Sequence, residues 1–188
     1  MNPNAAHEPI IKIENLYKKY GDNVVLDGFN LNLYQGENLV IMGKSGSGKS
    51  VMIKCLIGLE IPDSGTIEIM SQKLEHLSLK ALDEIRADIG FLFQGSALYD
   101  SMTVRENLEF PLRRHISKFG NVKDTLPLVE EALQNVGLKN VIDLMPNELS
   151  GGMKRRVALA RTLILKPKII IYDEPTTGLD PITSKEII

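Results

Sequence analysis

The chain has 188 residues, 43% of them hydrophobic, which suits one domain with a buried core. Its 24 acidic and 22 basic residues leave a formal charge of -2, which argues against a nucleic-acid footprint or a broad basic surface for anionic lipid. No run approaches the roughly 18 to 20 apolar residues of a membrane-spanning helix, residues 1–9 lack the apolar centre of a signal peptide, and a lone cysteine, Cys55, excludes an internal disulfide. Together these predict a cytosolic chain that reaches a membrane only through a protein partner.

In chain order, residues 10–16 and 29–33 alternate apolar with polar, as strands with one wet face do. Gly21-Asp22-Asn23 supplies turn chemistry between them. They predict an antiparallel layer, which Thr66-Ile67-Glu68-Ile69 extends after the turn Pro62-Asp63-Ser64-Gly65. The apolar, β-favouring run Asn38-Leu39-Val40-Ile41-Met42 predicts a strand leading into Gly43-Lys44-Ser45-Gly46-Ser47-Gly48-Lys49-Ser50, which fits G-x-x-x-x-G-K-[ST] without a mismatch. Residues 51–57 have helix length and are stopped by Gly58. In this pattern the glycines let main-chain N–H groups surround phosphate oxygens, and the helix N-terminus adds partial positive charge. Lys49 would reach the β- and γ-phosphates, and Ser50 would give its hydroxyl to Mg²⁺. Cys55, in the helix after the clamp, reads as a small buried hydrophobe.

Residues 79–87 have helical composition, and residues 89–93 predict a short buried strand that delivers Gln94 at its carboxyl end, where ligands of open α/β sheets lie. Residues 95–149 read as mostly helical, with Leu126, Val129, Leu133 and Val136 on one core-facing stripe and Gly137 as a C-cap. Arg113, Arg114 and His115 read as a solvated basic cluster. Leu149-Ser150-Gly151-Gly152-Met153 opens a helix over residues 153–165. The nearly continuous apolar run at 168–172 predicts a strand buried on both faces. It ends in Asp173-Glu174, which is either a solvated strand end or a pair of acids placed for chemistry.

In order and spacing, the clamp, Gln94, Leu149 to Met153, the strand ending in Asp173-Glu174 and Gly178-Leu179-Asp180-Pro181 resemble the nucleotide-binding domain of ABC transporters across nearly the whole chain. The resemblance implies an α/β P-loop NTPase with a RecA-like, mostly parallel sheet, an N-terminal antiparallel β subdomain and an inserted α-helical subdomain. It divides the chain into a core of residues 1–95 and 166–188 and a helical part of residues 96–165. It implies ATP and Mg²⁺ as cofactors. Tyr20 corresponds to the aromatic that stacks on adenine, although a strand-end tyrosine packing on its hairpin is the other reading. Gln94 corresponds to the residue that touches Mg²⁺ or the attacking water. Asp173 would support Mg²⁺, and Glu174 would polarise the water attacking the γ-phosphate.

Ser150, Gly151 and Gly152, at a helix start with free N–H groups, form a second anion site. In the family two copies pair head to tail, each signature closing on its partner's clamp with Asp180 at the seam. Residues 93–104, then Glu106-Asn107 and Pro111-Leu112-Arg113, together with Met153 and Asp180-Pro181-Ile182-Thr183, resemble the ATPases of Mla-type lipid transporters. That branch implies a homodimer on a membrane permease with an MCE-domain substrate-binding protein, on the cytoplasmic face of the inner membrane, without nucleic acid. Another cargo such as an amino acid or lipoprotein, a soluble ABC ATPase of DNA repair or translation, and a catalytically dead interaction module are the alternatives. The family also places a histidine on the strand after the acidic pair. Here His7, His76 and His115 all precede that position and the sequence ends at Ile188, so the chain reads as a truncated form of low stability and activity.

Overall fold

The computed structural model describes residues 8–92, 96–120 and 124–172. They belong to two compact units, Met1–Ile85 and Arg86–Ile188.

The first unit is built on β1 (Ile11–Tyr20), β2 (Asn23–Leu33), β3 (Ser64–Ile69) and the two-residue β4 (Gln72–Lys73). They form an antiparallel sheet in the order β2-β1-β3-β4. The predicted hairpin is present, with Tyr20 opposite Asn23 across the turn. Strict alternation fails inside β1. Asn15 takes a left-handed φ of 50°, its N–H donates to Asn30 Oδ1 at 2.9 Å, and the register slips between Ile13 and Leu16. A bulge of this kind moves every following side chain to the other face. Ile11, Ile13 and Leu16 are therefore all buried, and so is Lys18. Helix α1 (Lys49–Leu56) lies against β2 and contributes Met52, Cys55 and Leu56 to the buried set, as expected for Cys55.

Residues 38–42 depart from expectation. They carry strand-favouring side chains, yet no described residue pairs with them in a ladder, and Val40 and Met42 are 78% and 86% exposed. Propensity alone does not make a strand, which exists through hydrogen bonds to a neighbour.

Helix α2 (Leu79–Ala87) has the predicted bounds and crosses the division between the units. In the second unit, β5 (Ile89–Leu92) and β6 (Ile169–Tyr172) pair in parallel, Ile89 with Ile169 through Leu92 with Tyr172. Helices α3 (Val104–Arg114), α4 (Leu126–Asn135) and α5 (Gly151–Leu163) enclose a core of Val104, Leu108, Leu112, Val129, Leu133 and Val157, among others. Of the predicted stripe on α4, Val129 and Leu133 are buried while Leu126 and Val136 are half-buried. Strand β6 is not buried on both faces as predicted: Ile169 is buried, but Ile170 and Tyr172 are exposed. Ile170 and Tyr172, two residues apart, share one face of the strand, and among the described residues nothing buries it.

Buried polar groups tie the second unit together. Thr103 and Glu106 form a reciprocal capping box at the start of α3. Asn107 is fully buried; its Oδ1 accepts from Tyr99 N at 2.8 Å, and its Nδ2 donates to the carbonyls of Tyr99, Met102 and Thr103. Glu109, also buried, accepts from Arg105 Nε, Arg113 Nη2 and Thr125 Oγ1 at 2.7, 2.8 and 2.9 Å. Arg113 is thus solvated, as predicted for the basic cluster, but tethered.

Candidate functional site

The clamp occupies the turn between the exposed run at 38–42 and α1. Its residues are exposed except Gly48, which is buried, and Lys49, which is half-buried. Gly48 caps α1 at φ 89°, and a Cβ there would lie 2.7 Å from Val25 O. Only glycine lets the loop turn this closely on β2. A Cβ on Gly43 would come within 2.6 Å of Ser47 Oγ, so the loop is also closed upon itself. Lys49 Nζ donates to Gly43 O at 2.8 Å and Lys44 O at 3.0 Å. The ammonium thereby lies on the loop's own carbonyls, where an anion entering the loop would meet it. No side chain caps α1, and its first turn has no acidic residue. Such an N-terminus keeps its donors and its positive end for a ligand. Ser50, exposed in that first turn, offers a hydroxyl oxygen.

Tyr20 stands at the end of β1, 47% exposed, beside the turn that leads to Val25 and so to Gly48. Lys18 Nζ is 5.3 Å from its ring centroid. Lys18 was not singled out from sequence. Strict alternation from Ile11 would have turned it outward, and the bulge at Asn15 brings it in.

In the second unit Ser150 is the N-cap of α5, its Oγ accepting from Met153 N at 3.2 Å. The helix begins at Gly151, two residues before the predicted start, because this cap closes it there. A Cβ at Gly151 or Gly152 would meet nothing within 4 Å among the described residues, so their packing does not demand glycine at either position. Further along α5, Arg161 donates to Ala97 O and Ser96 O and lies 5.8 Å from the Tyr99 ring. Burial holds its guanidinium below the ordinary arginine value. A cavity of about 370 Å³ is lined there by Gly90, Phe91, Tyr99, Phe110, Arg161 and Leu165, among others. Sequence reading missed Arg161, although an arginine amid the helix's apolar positions was a visible signal. Gln94, Asp173, Glu174 and Asp180 lie outside the described residues.

A family model described as ABC transporter matches residues 26–177. The chain belongs to the ABC transporter family. It is 40% identical over 182 residues to the intermembrane phospholipid transport system ATP-binding protein MlaF of Haemophilus influenzae, covering 97% of this chain and 68% of that protein. It is 39% identical over 181 residues to the methionine import ATP-binding protein MetN of Clostridium tetani, covering 95% of this chain but 55% of MetN. Among solved structures, the dimeric ATP-binding cassette MJ0796 in a post-hydrolysis state bound to ADP and Pi superposes with a TM-score of 0.81 at 38% identity, covering 94% of this chain and 79% of that one. The fold is that of an ABC ATPase cassette, a P-loop NTPase with an antiparallel N-terminal sheet and helices, as expected. ATP is the nucleotide this family binds. No helix among the described residues is long and apolar enough to cross a membrane.

Proposed function

We propose that this chain binds and hydrolyses ATP, and that the cycle powers transport of a phospholipid or another hydrophobic substrate through a partner permease. The observation that carries the reading is the clamp: an exposed loop with its lysine ammonium lying on the carbonyls of Gly43 and Lys44, at the head of an uncapped helix. On binding, Lys49 exchanges those carbonyls for β- and γ-phosphate oxygens, and the N–H groups from Gly46 to Ser50 turn to the phosphates. Mg²⁺ takes hard oxygen donors and keeps several through the nucleotide and water, which fits the exposed hydroxyl that Ser50 supplies; Gln94 and Asp173 would complete the protein's share. When bound, the ion neutralises charge gathering on the phosphates. Glu174 accepts a proton from the attacking water, which Gln94 orients. Tyr20 stacks on the base, a role favoured by its short distance along the hairpin from Val25, which backs Gly48.

Two copies close head to tail, with Ser150, Gly151 and Gly152 of one on the γ-phosphate held by the other and Asp180 at the seam. The open space around Gly151 and Gly152 supports this, since a glycine that packing among the described residues does not demand suits the approach of another molecule. The dimeric MJ0796 cassette is a relative of matching fold. Residues 1–95 and 166–188 act as the nucleotide-binding core and residues 96–165 as the helical part. The permease holds the pair on the cytoplasmic face of the inner membrane, with an MCE-domain protein in the same complex. MlaF carries the phospholipid reading, and the similarity to MetN favours methionine as the second. The test pairs Ser150→Cys with Ser45→Cys in the full-length chain and oxidises with and without ATP. A covalent dimer that forms only with ATP is the expected result; none under either condition overturns the head-to-tail arrangement.

A further inference from the structure

Tyr20 is not held by its own strand alone. Lys18, two residues earlier, is buried, and its ammonium donates to Ile61 O at 2.7 Å, sits 3.0 Å from Glu60 Oε1 and 3.5 Å from Asp63 Oδ1, and faces the Tyr20 ring. Asp63 in turn accepts from Lys19 N at 2.8 Å, and its own N–H donates to Tyr17 O. The segment 60–63 follows directly on α1, with Glu60 N–H bonded to Lys54 O in the last turn of that helix. The Lys19 N–H, aided by Lys18, holds Asp63 below the ordinary carboxylate range, and the hydrogen bond to Glu60 holds Lys18 above the ordinary lysine value. The ammonium therefore stays charged.

We propose that Lys18 is a positioning residue for the nucleotide base: it fixes the Tyr20 ring and ties it to the far end of the helix whose near end is the phosphate clamp. The inference rests on the reading of Tyr20 as the base-stacking residue. A cation against an aromatic ring holds its orientation, and the ring retains nearly half its surface for a planar ligand. One helix then carries the phosphate loop at its start and, through Glu60, Ile61 and Asp63, the lysine that orients the base platform at its end.

The experiment compares ATP with inorganic tripolyphosphate, which has no base, as ligands of the full-length chain. In Lys18→Met, ATP binding is expected to weaken about threefold to tenfold while tripolyphosphate binding stays within about twofold. Lys18→Arg, which keeps a cation on a long stem, restores most of the ATP affinity. Lys18→Met combined with Tyr20→Ala binds ATP no more weakly than Tyr20→Ala alone. Equal weakening of both ligands, no change in either, or additive losses in the double variant would overturn the proposal. If Lys18→Met does not fold, Asp63→Asn, which loosens the lysine without removing it, must show a smaller loss of the same base-dependent kind, and its absence also overturns the inference. A Tyr20→Ala chain with an unchanged preference for ATP over tripolyphosphate would sink the tyrosine reading itself, and the Lys18 role with it. A clear Tyr20→Ala effect beside a silent Lys18→Met sinks the lysine alone.

Discussion

In the proposed function the phosphate chemistry turns on Lys49, because its ammonium rests on two backbone carbonyls and can move to phosphate without crossing an apolar barrier. Lys49→Ala removes the charge-assisted bonds to the β- and γ-phosphates and is expected to lower ATP affinity about tenfold to a hundredfold, read by calorimetric titration. Retained affinity would contradict the clamp assignment. Two polar residues whose inward direction the sequence did not predict share one feature. Lys18 and Asn107 are polar groups facing inward, and each does so because of tertiary context: a bulge turns one, and the carbonyls of Tyr99, Met102 and Thr103 surround the other. A signal existed for Asn107, which falls on the same helical face as Val104, Leu108 and Leu112. For Lys18 there was none, since a one-residue slip in a strand leaves no mark on composition.

Among the elements, α3 and α4 are joined through Glu109. Burial alone would raise its pKa, but hydrogen bonds from Arg105, Arg113 and Thr125 outweigh it and bring the value down to about 2. A carboxylate lowered in the folded state adds stability that is full above its ordinary value of 4.5 and fades as pH falls toward about 2. Glu109→Gln is therefore expected to cost about 2 kcal/mol at neutral pH. In urea titrations its difference from wild type should shrink as pH falls through that window; a difference constant from pH 7 to 3 would refute the assignment. Elements with strong periodicity were legible. The hairpin, α2 and the clamp helix all follow from alternation, helical stripes and glycine punctuation. The strands around the apolar runs were less so. Residues 38–42 have the composition of a strand but no described ladder partner, and β6 exposes Ile170 and Tyr172 where continuous apolar character had implied burial on both faces. Composition records what a segment can pair with, and geometry decides whether it does.

At the scale of the whole molecule, the proposed function links hydrolysis and assembly through the same nucleotide. If Glu174 is the base, Glu174→Gln leaves ATP binding intact and slows cleavage about a hundredfold or more. Two copies joined by uncleaved ATP should then accumulate, visible as a dimer on size-exclusion chromatography with ATP and as a monomer with ADP. Unchanged turnover would remove Glu174 from that role. The clamp and the signature helix fall in different compact units.

The bare run at 38–42 bears on how the chain behaves at high concentration. Its apolar side chains are exposed and, among the described residues, no ladder covers its backbone, so a like segment can add to it. Crowded copies will tend to stick through this ribbon whether or not nucleotide is present, which sets a solubility ceiling unrelated to the catalytic cycle.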